Sequence, residues 1–240
     1  SAMKETIASG LSREVLRRIA ACTMLVDHIG ATLFPGVLWL RCVGRLAFPI
    51  FAFFLGEGFR FTHSRRQYLL RLVLFALLSE LPFNQMVYGR WIAPSGQNVL
   101  WTLALGLCAI ACVQRAPSEP GLNSLFWYSA AAGCCLLGQL LRTDYGAFGV
   151  LLCLLFYCTR GLPGRFWICG GIFLLMCYAF QFVFLPGIPI PLEALALPAF
   201  PLLATYHGRR SHRQLPIRYA FYWFYPLHML LLGLLAHTTP

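Results

Sequence analysis

The stretch IAACTMLVDHIGATLF, residues 19–34, is apolar apart from the adjacent Asp27 and His28. With about one further turn toward Arg17 and Arg18 it is long enough to cross a bilayer, which takes roughly 20 apolar residues. Titratable side chains are costly in hydrocarbon and mark functional sites there by default. The stretch therefore predicts a transmembrane helix whose Asp-His pair needs polar partners from other helices.

Apolar character extends along the whole chain. Of its 240 residues, 59% are hydrophobic and 11% are charged, with a mean hydropathy of +0.68, whereas soluble domains carry about 25% charged residues. This composition predicts an all-α fold, a polytopic transmembrane helical bundle that forms a single domain over residues 1–240. Residues 1–3 are interpreted as the remnant of a tag.

Breaks at Pro, Gly and Arg residues divide the chain into about nine predicted spans. Pro49 and Pro226 should kink the second and the ninth. Several prolines interrupt the eighth, which we expect to be broken or partly interfacial. The approximate limits of the spans are 15–34, 37–61, 67–88, 98–115, 122–140, 146–160, 165–185, 190–206 and 217–237.

Basic residues set the predicted orientation. Arg41 and Arg45 fall inside the second span; of the other Lys and Arg residues, only Arg90 and Arg142 face one side, and the rest face the other. An excess of Lys and Arg marks the cytoplasmic side of a membrane protein. We therefore predict a cytoplasmic N-terminus in a multi-pass protein of the bacterial cytoplasmic (inner) membrane.

Composition also excludes some functions. The net charge of +11 is interpreted as the topological signal and not as a nucleic-acid-binding surface, because no basic segment is interleaved with stacking aromatics. The ten cysteines lie almost entirely in apolar spans, where cysteine packs as a small hydrophobe. No CxxC or mixed Cys and His ligand pattern is present, so no metal is expected. Membrane lipids are the expected surroundings, and the sequence leaves open whether the protein forms a homodimer.

Asp27, Arg45 and Glu80 are predicted to lie at one depth. Each is eight residues from the outer end of its span, which corresponds to roughly 12 Å at the helical rise. One interpretation is an ion-pair cluster that only holds helices together, and the Asp27–Arg45 pair stays open between this and a functional role. His28 among these charges favours proton transfer: with one ring nitrogen held by a carboxylate, the other would act as base or nucleophile.

Glu57, near the inner end of the second span, is followed by a dense basic patch. The patch consists of Arg60, His63, Arg65, Arg66 and Arg71. Such residues anchor the cytoplasmic side of a membrane protein, and arginine forks also suit phosphate oxygens. The second interpretation predicts a docking site for a phosphorylated cofactor. Its reactive end would need an arm of roughly 15 Å to reach His28, which is about the reach of phosphopantetheine.

Polar side chains elsewhere are candidates for binding an acceptor. Tyr225 and His228 lie beside Pro226 in the ninth span, and Asn84 and Asn98 lie near the predicted outer mouth. For Tyr225, a core or interfacial aromatic is the preferred interpretation. The predicted acceptor pocket rests on these four side chains.

Six stretches of the chain resemble the TraX family, membrane proteins named for the F-pilin acetylase of conjugative plasmids. They are MLVDHIGATLFP (24–35), GRLAFPIFAFFLGEGFRFT (44–62), YLLRLVLFALLSELPFN (68–84), QNVLWTLALG (97–106), YGAFGVLL (145–152) and YAFYWFYPLHMLLL (219–232). More distantly, the Asp-His of the first span and the Phe-Pro-x-Phe of the second are similar to the wider transmembrane acyltransferases. That group includes heparan-α-glucosaminide N-acetyltransferase.

The resemblance implies transfer of an acetyl group from cytoplasmic acetyl-CoA to an amine or hydroxyl at or across the membrane. His28 is the implied catalytic position, with Asp27 beside it, and the resemblance gives no individual role to Arg45, Glu57 or Glu80. From the predicted polar layer itself, we expect Asp27 and Glu80 to orient His28 and Arg45 to balance charge or stabilise an oxyanion. CoA would be bound by Glu57, Arg60, His63, Arg65, Arg66 and Arg71. The acceptor would be bound by Asn84, Asn98, Tyr225 and His228. The acceptor, a peptide, a pilin or a glycan, is not fixed. A proton-coupled membrane transporter and a structural assembly subunit are the alternatives.

Overall fold

The structure, a computed structural model, describes residues 10–180, 183–206, 208 and 215–238, with the backbone alone for 215–218 and 238. Within these ranges the chain is helical and has no β-strand beyond isolated bridges. The all-α class is confirmed. The predicted tag remnant at residues 1–3 and the basic residues Lys4, Arg209, Arg210 and Arg213 lie outside the described residues.

The helices are numbered along the chain. They are α1 Arg13–Thr32, α2 Leu38–Gly44, α3 Ala47–Phe61, α4 Arg65–Tyr88, α5 Val99–Arg115, α6 Leu122–Leu140, α7 Gly146–Cys158, α8 Arg165–Ala179, α9 Ala199–Ala204 and α10 Leu215–Thr238. Short 3₁₀ helices cover Ala116–Ser118 and Leu192–Ala196.

Four helical segments are long and apolar enough to cross a membrane: Leu38–Phe61, Arg65–Tyr88, Val99–Ser118 and Tyr219–His237. The prediction of about nine spans is therefore not confirmed. Three further apolar helical segments, Gly146–Cys158, Arg165–Ala179 and Leu192–Ala204, are shorter than the roughly 20 residues that a span takes. Helix α1 has the length, 20 residues, but its charged residues keep it outside this group.

Contacts group the chain into two compact units, residues 1–51 with 161–228 and residues 52–160 with 229–240. In the first unit α1 packs on α2, and the 3₁₀ helix Leu192–Ala196 packs on α2 and α8. In the second, α5 packs against α4, α6 and α7. The single domain over residues 1–240 stays a prediction.

The predicted second span is interrupted between α2 and α3. Pro49 has no N–H to bond the carbonyl of Arg45, one turn earlier. The chain accordingly leaves the α-helix at Arg45 and Leu46. The N–H groups of Arg45 and Leu46 instead bond the carbonyls of Cys42 and Val43 at 3.3 and 3.4 Å, in tighter 3₁₀-type turns. Arg45 thus lies in a helix break. The span predicted at 190–206 is also interrupted, as its prolines indicate.

Small residues let α1 and α2 approach each other closely. A Cβ on Gly30 would lie 2.6 Å from the Cβ of Leu40, and a Cβ on Gly44 would overlap the side chain of Asp27. Close backbone approach through glycine is typical of membrane helix pairs. Gly44 therefore leaves the space that the Asp27 carboxylate occupies.

Candidate functional site

Asp27 is the centre of an ion-pair cluster in the first unit. Its Oδ1 lies 2.6 Å from Arg45 Nη2, and its Oδ2 lies 2.8 Å from Arg41 Nη1. Arg45 extends the cluster to a second carboxylate, because its Nη1 lies 2.6 Å from Glu193 Oε1. Two carboxylates and two guanidinium groups balance, so the cluster carries no formal net charge.

The cluster is held by helices that are distant in sequence. Asp27 comes from α1, Arg41 from α2, Arg45 from the break after α2, and Glu193 from the 3₁₀ helix Leu192–Ala196. Asp27, Arg45 and Glu193 are 7%, 7% and 6% exposed. Arg45 also donates through Nε to the carbonyl of Arg41 at 3.2 Å. Buried charges must be paired in this manner because an unpaired one is strongly unfavourable.

His28 has a different partner from its neighbour. Its Nδ1 lies 2.7 Å from Nε2 of His228 on α10. The two ring centroids are 5.0 Å apart and the planes differ by 7°. Since that separation is close to the nitrogen–nitrogen contact plus the two ring radii, the imidazoles meet edge to edge in one plane. No described residue bonds the Nε2 of His28.

His228 is fixed by its own helix. Its Nδ1 lies 2.7 Å from the carbonyl oxygen of Phe224. The Phe224 ring stacks on its face, with centroids 4.6 Å apart, and the Tyr225 ring meets it edge-on at 5.9 Å. His228 and Tyr225 are both buried, at 6% exposure. The ring that contacts His28 is therefore held in one orientation.

Glu80 has its partners in the second unit. Its Oε2 accepts from Asn98 Nδ2 at 2.6 Å and from Trp101 Nε1 at 3.3 Å. Asn98 also caps α5, because its Oδ1 accepts from the N–H of Leu100 at 3.1 Å. Asn84 is 3% exposed and donates to the carbonyl of Trp91 at 3.4 Å. Its Oδ1 is buried without a hydrogen-bond partner among the described residues.

The predicted cofactor residues lie around the loop between α3 and α4. Arg60, His63, Arg65 and Arg66 are exposed, and Glu57 and Arg71 are half-buried. The guanidinium groups of Arg60, Arg65 and Arg71 lie over Phe61, Phe59 and Tyr68 at 5.0, 4.4 and 5.7 Å. The Arg71 Nε is buried without a described hydrogen-bond partner.

Arg65 also lines an open cleft of about 610 Å³ in the second unit. Arg115 lies in its wall, with its guanidinium 4.9 Å from the ring of Trp127 and its Nε 3.5 Å from Glu119 Oε1. The volume is within the usual range of ligand pockets, about 300–1,000 Å³. The other lining residues are Ala111, Cys112, Gln114 and Ser118.

The structure thus brings together Asp27 with Arg45, and His28 with His228. Sequence reasoning missed Arg41 and Glu193. Glu193 carried a usable signal, because a carboxylate in an apolar segment needs a buried partner. Among the described residues, no group of three or more His, Cys, Asp or Glu side chains is arranged to hold a metal ion.

These features define a helical membrane protein with a buried ion-pair cluster and a paired histidine. The sequence matches the family model described as "TraX protein" over residues 12–236. The chain belongs to the TraX family.

The chain is similar to two further bacterial proteins. The "Probable fimbrial assembly protein FimC, serogroup H1" of Dichelobacter nodosus is 31% identical over 235 residues, which cover 90% of this chain and 92% of that protein. The "Uncharacterized protein RP591" of Rickettsia prowazekii (strain Madrid E) is 29% identical over 98 residues, 41% of this chain and 36% of that protein. No solved structure matches significantly.

Proposed function

We propose that this protein is an acyltransferase of the bacterial cytoplasmic membrane, which moves the acetyl group of cytoplasmic acetyl-CoA to an amine or hydroxyl of an acceptor. The contact between His28 and His228 is the observation that carries the proposal. It occupies Nδ1 of His28 and leaves Nε2 to react. An imidazole with one nitrogen anchored and the other open is the usual form of a general base or nucleophile.

In the reaction, the acceptor nitrogen or oxygen attacks the thioester carbonyl, and Nε2 of His28 takes the proton from that acceptor atom at the same time. The carbon–sulfur bond then breaks, and the leaving thiolate takes the proton back from Nε2. In the covalent variant, the lone pair of Nε2 attacks the thioester carbonyl and the carbon–sulfur bond breaks, which releases the CoA thiolate. The acceptor then attacks the acetyl group, the bond between that group and Nε2 breaks, and the acceptor proton goes to the thiolate. Both variants use the same ring nitrogen, and general-base catalysis of this kind contributes about 10²–10⁴-fold.

The ion-pair cluster supports this site without taking part in the transfer. Both oxygens of Asp27 are paired with arginines, and both terminal nitrogens of Arg45 are paired with carboxylates. We therefore assign Asp27 and Arg45 to charge balance and helix positioning. Glu80, which bonds Asn98 and Trp101, serves the same purpose for α4 and α5.

The CoA phosphates are proposed to bind at the cleft that Arg65 and Arg115 line. Guanidinium groups pair with phosphate oxygens in two-pronged hydrogen bonds, and Trp127 offers a flat surface on which an adenine ring stacks. Arg60, His63, Arg66 and Arg71 add positive charge near α4, which raises the local concentration of an anionic ligand. The predicted cytoplasmic location of these residues matches the side on which CoA is present.

The acceptor is proposed to be a fimbrial subunit. The Dichelobacter nodosus relative is named a probable fimbrial assembly protein, and the family resemblance implies acetylation of pilin. Asn84 supports an acceptor site in the second unit, because a buried amide oxygen without a partner would gain a hydrogen bond from a bound amine or hydroxyl.

Acetyl transfer by the purified protein in lipid nanodiscs tests the proposal. Release of the CoA thiol and mass gain of the acceptor are measured with acetyl-CoA and either a pilin-derived peptide or an amino sugar. His28→Ala should lower the rate by about 10²–10⁴-fold, whereas His237→Ala, the matched control on α10, should keep it. Equal rates in the wild type and His28→Ala would reject His28 as the catalytic residue.

Binding of CoA is tested separately by thermal stabilisation. CoA should raise the melting temperature of the wild type and of the exposed control Arg90→Ala. Arg65→Ala and Arg115→Ala should weaken this effect. If acetyl-CoA is neither bound nor consumed, proton-coupled transport becomes the better hypothesis. Substrate-driven proton movement in proteoliposomes then tests that hypothesis.

A further inference from the structure

We infer that His228 is a positioning residue that holds His28 in the tautomer with hydrogen on Nδ1 and a lone pair on Nε2. The inference about the tautomer stands on the hydrogen bonds alone, and its catalytic consequence rests on the proposed function. His228 was predicted to bind the acceptor. In the arrangement seen here, both of its ring nitrogens are engaged by protein atoms.

The direction of the hydrogen-bond chain follows from its last member. The carbonyl oxygen of Phe224, 2.7 Å from Nδ1 of His228, only accepts, so this nitrogen carries the hydrogen and donates. A neutral imidazole has a single N–H, which makes Nε2 of His228 an acceptor. Nδ1 of His28, 2.7 Å away, must then donate. The hydrogen of neutral His28 is therefore on Nδ1, and Nε2 has the lone pair.

The ring geometry is favourable for a hydrogen bond from His28 to His228. Because the two imidazoles are almost coplanar, at 7°, the Nδ1–H of His28 lies in the plane of the lone pair on His228 Nε2. Phe224 and Tyr225 pack against His228 from its face and its edge, which prevents the ring from turning over. A flip of His228 would exchange a nitrogen for a carbon at both hydrogen bonds.

The consequence for catalysis is specific to Nε2. When His28 gains a proton there, its Nδ1–H becomes a cationic donor, and hydrogen bonds from charged donors are about twice as strong as neutral ones. His228 therefore contributes more after proton uptake than before it. In many catalytic sites a carboxylate has this orienting position; Asp27 does not have it, because its carboxylate faces Arg41 and Arg45 and Nδ1 of His28 contacts His228.

Two substitutions at His228 separate orientation from packing. His228→Gln places an amide oxygen near the position of Nε2 and keeps an acceptor for His28. His228→Leu fills a similar volume and removes the acceptor. We expect His228→Leu to lower kcat for acetyl transfer by about 10–100-fold, the loss that follows when the group that orients a metal-bound imidazole is replaced, with the KM for acetyl-CoA unchanged. His228→Gln should recover most of the loss, and His237→Leu should have no effect.

The tautomer itself is read by solid-state NMR of protein labelled with ¹⁵N-histidine in lipid bilayers at alkaline pH. The His28 signals are assigned by their loss in His28→Ala. The expected result is a protonated Nδ1 and an unprotonated Nε2 in the wild type and His228→Gln, and a mixture of tautomers in His228→Leu.

Either of two results overturns the inference: hydrogen on Nε2 of His28 in the wild type, or equal kcat values for His228→Leu and His228→Gln. Failure of the proposed function gives a different result. A wild type with the expected tautomer but no acetyl transfer supports the histidine pair and rejects the acyltransferase.

Discussion

Replacement of Arg45 by Met removes the cation that joins two carboxylates in the first unit. The Arg45 guanidinium lies 2.6 Å from both Asp27 and Glu193, and all three side chains are more than nine-tenths buried. Methionine replaces the aliphatic part of the side chain but has no guanidinium group, which leaves Glu193 without its arginine. An uncompensated buried charge costs about 3–5 kcal/mol. We expect Arg45→Met to lower the free energy of unfolding by that amount.

Changes at Glu193 show whether charge or shape sets this cost. Glu193→Gln removes one negative charge, but its amide oxygen still accepts from Arg45, and Arg45 keeps Asp27 as its counter-ion. Its cost should therefore be the difference between a charged and a neutral hydrogen bond, about 0.5–1.5 kcal/mol. The double variant Arg45→Met with Glu193→Leu removes both charges. It should be more stable than Arg45→Met alone, since apolar replacement of a buried ion pair is often neutral or stabilising. Coupling between such contacting residues is about 0.5–3 kcal/mol.

The measurement is reversible unfolding in mixed detergent micelles, followed by tryptophan fluorescence. Arg90→Met is the matched control, because an exposed substitution should stay within about ±0.5 kcal/mol of the wild type. The reasoning is refuted if Arg45→Met and Glu193→Gln cost the same. It is also refuted if the double variant is no more stable than Arg45→Met alone.

Two further predictions concern packing and capping. Gly44→Ala should destabilise the protein by about 1–3 kcal/mol, the usual cost of overpacking, because the new methyl group would overlap Asp27. The control is Gly133→Ala in α6, where the new atom has no neighbour within 4 Å; it should be neutral or stabilising in the same unfolding assay. Asn98→Ala should cost about 1–3 kcal/mol, since it removes the cap of α5 and the donor to Glu80; loss of protection of the first amides of α5 in hydrogen exchange would locate the effect, and unchanged exchange there would contradict it.

The contact between Asp27 and Arg45 is a case in which depth arithmetic along two helices led to the pair that the structure places 2.6 Å apart. The same arithmetic put Glu80 at that level, yet its carboxylate bonds Asn98 and Trp101. Depth fixes the height of a side chain and not the direction in which it points. Direction depends on how helices are rotated, and this is decided by packing over the whole chain.

The partner of Glu193 could not be derived from local sequence. Glu193 pairs with a residue 148 positions away, and the prolines of its segment predict a broken or partly interfacial span and no buried contact in particular. The sequence pattern also did not predict where each helix ends. Hydropathy stays high through 165–185, but helix α8 ends at Ala179. An apolar segment indicates burial or contact with lipid, and a segment that is buried in protein can leave the helix without exposing its backbone to lipid.

Asp27 and His28 attract notice as a pair because they are adjacent in an apolar stretch, but the helix separates them by about 100°. That rotation sends the carboxylate to Arg41 and Arg45 and the imidazole to His228. The two residues therefore do different things: Asp27 neutralises and positions neighbouring segments, and His28 presents a ring nitrogen. A rigid α1 connects the two roles. Because His28 follows Asp27 directly, the ion pairs that fix the position of Asp27 also fix the height and rotation at which the imidazole meets His228. If the proposed acetyl transfer occurs at His28, the cluster contributes to it without contacting any substrate.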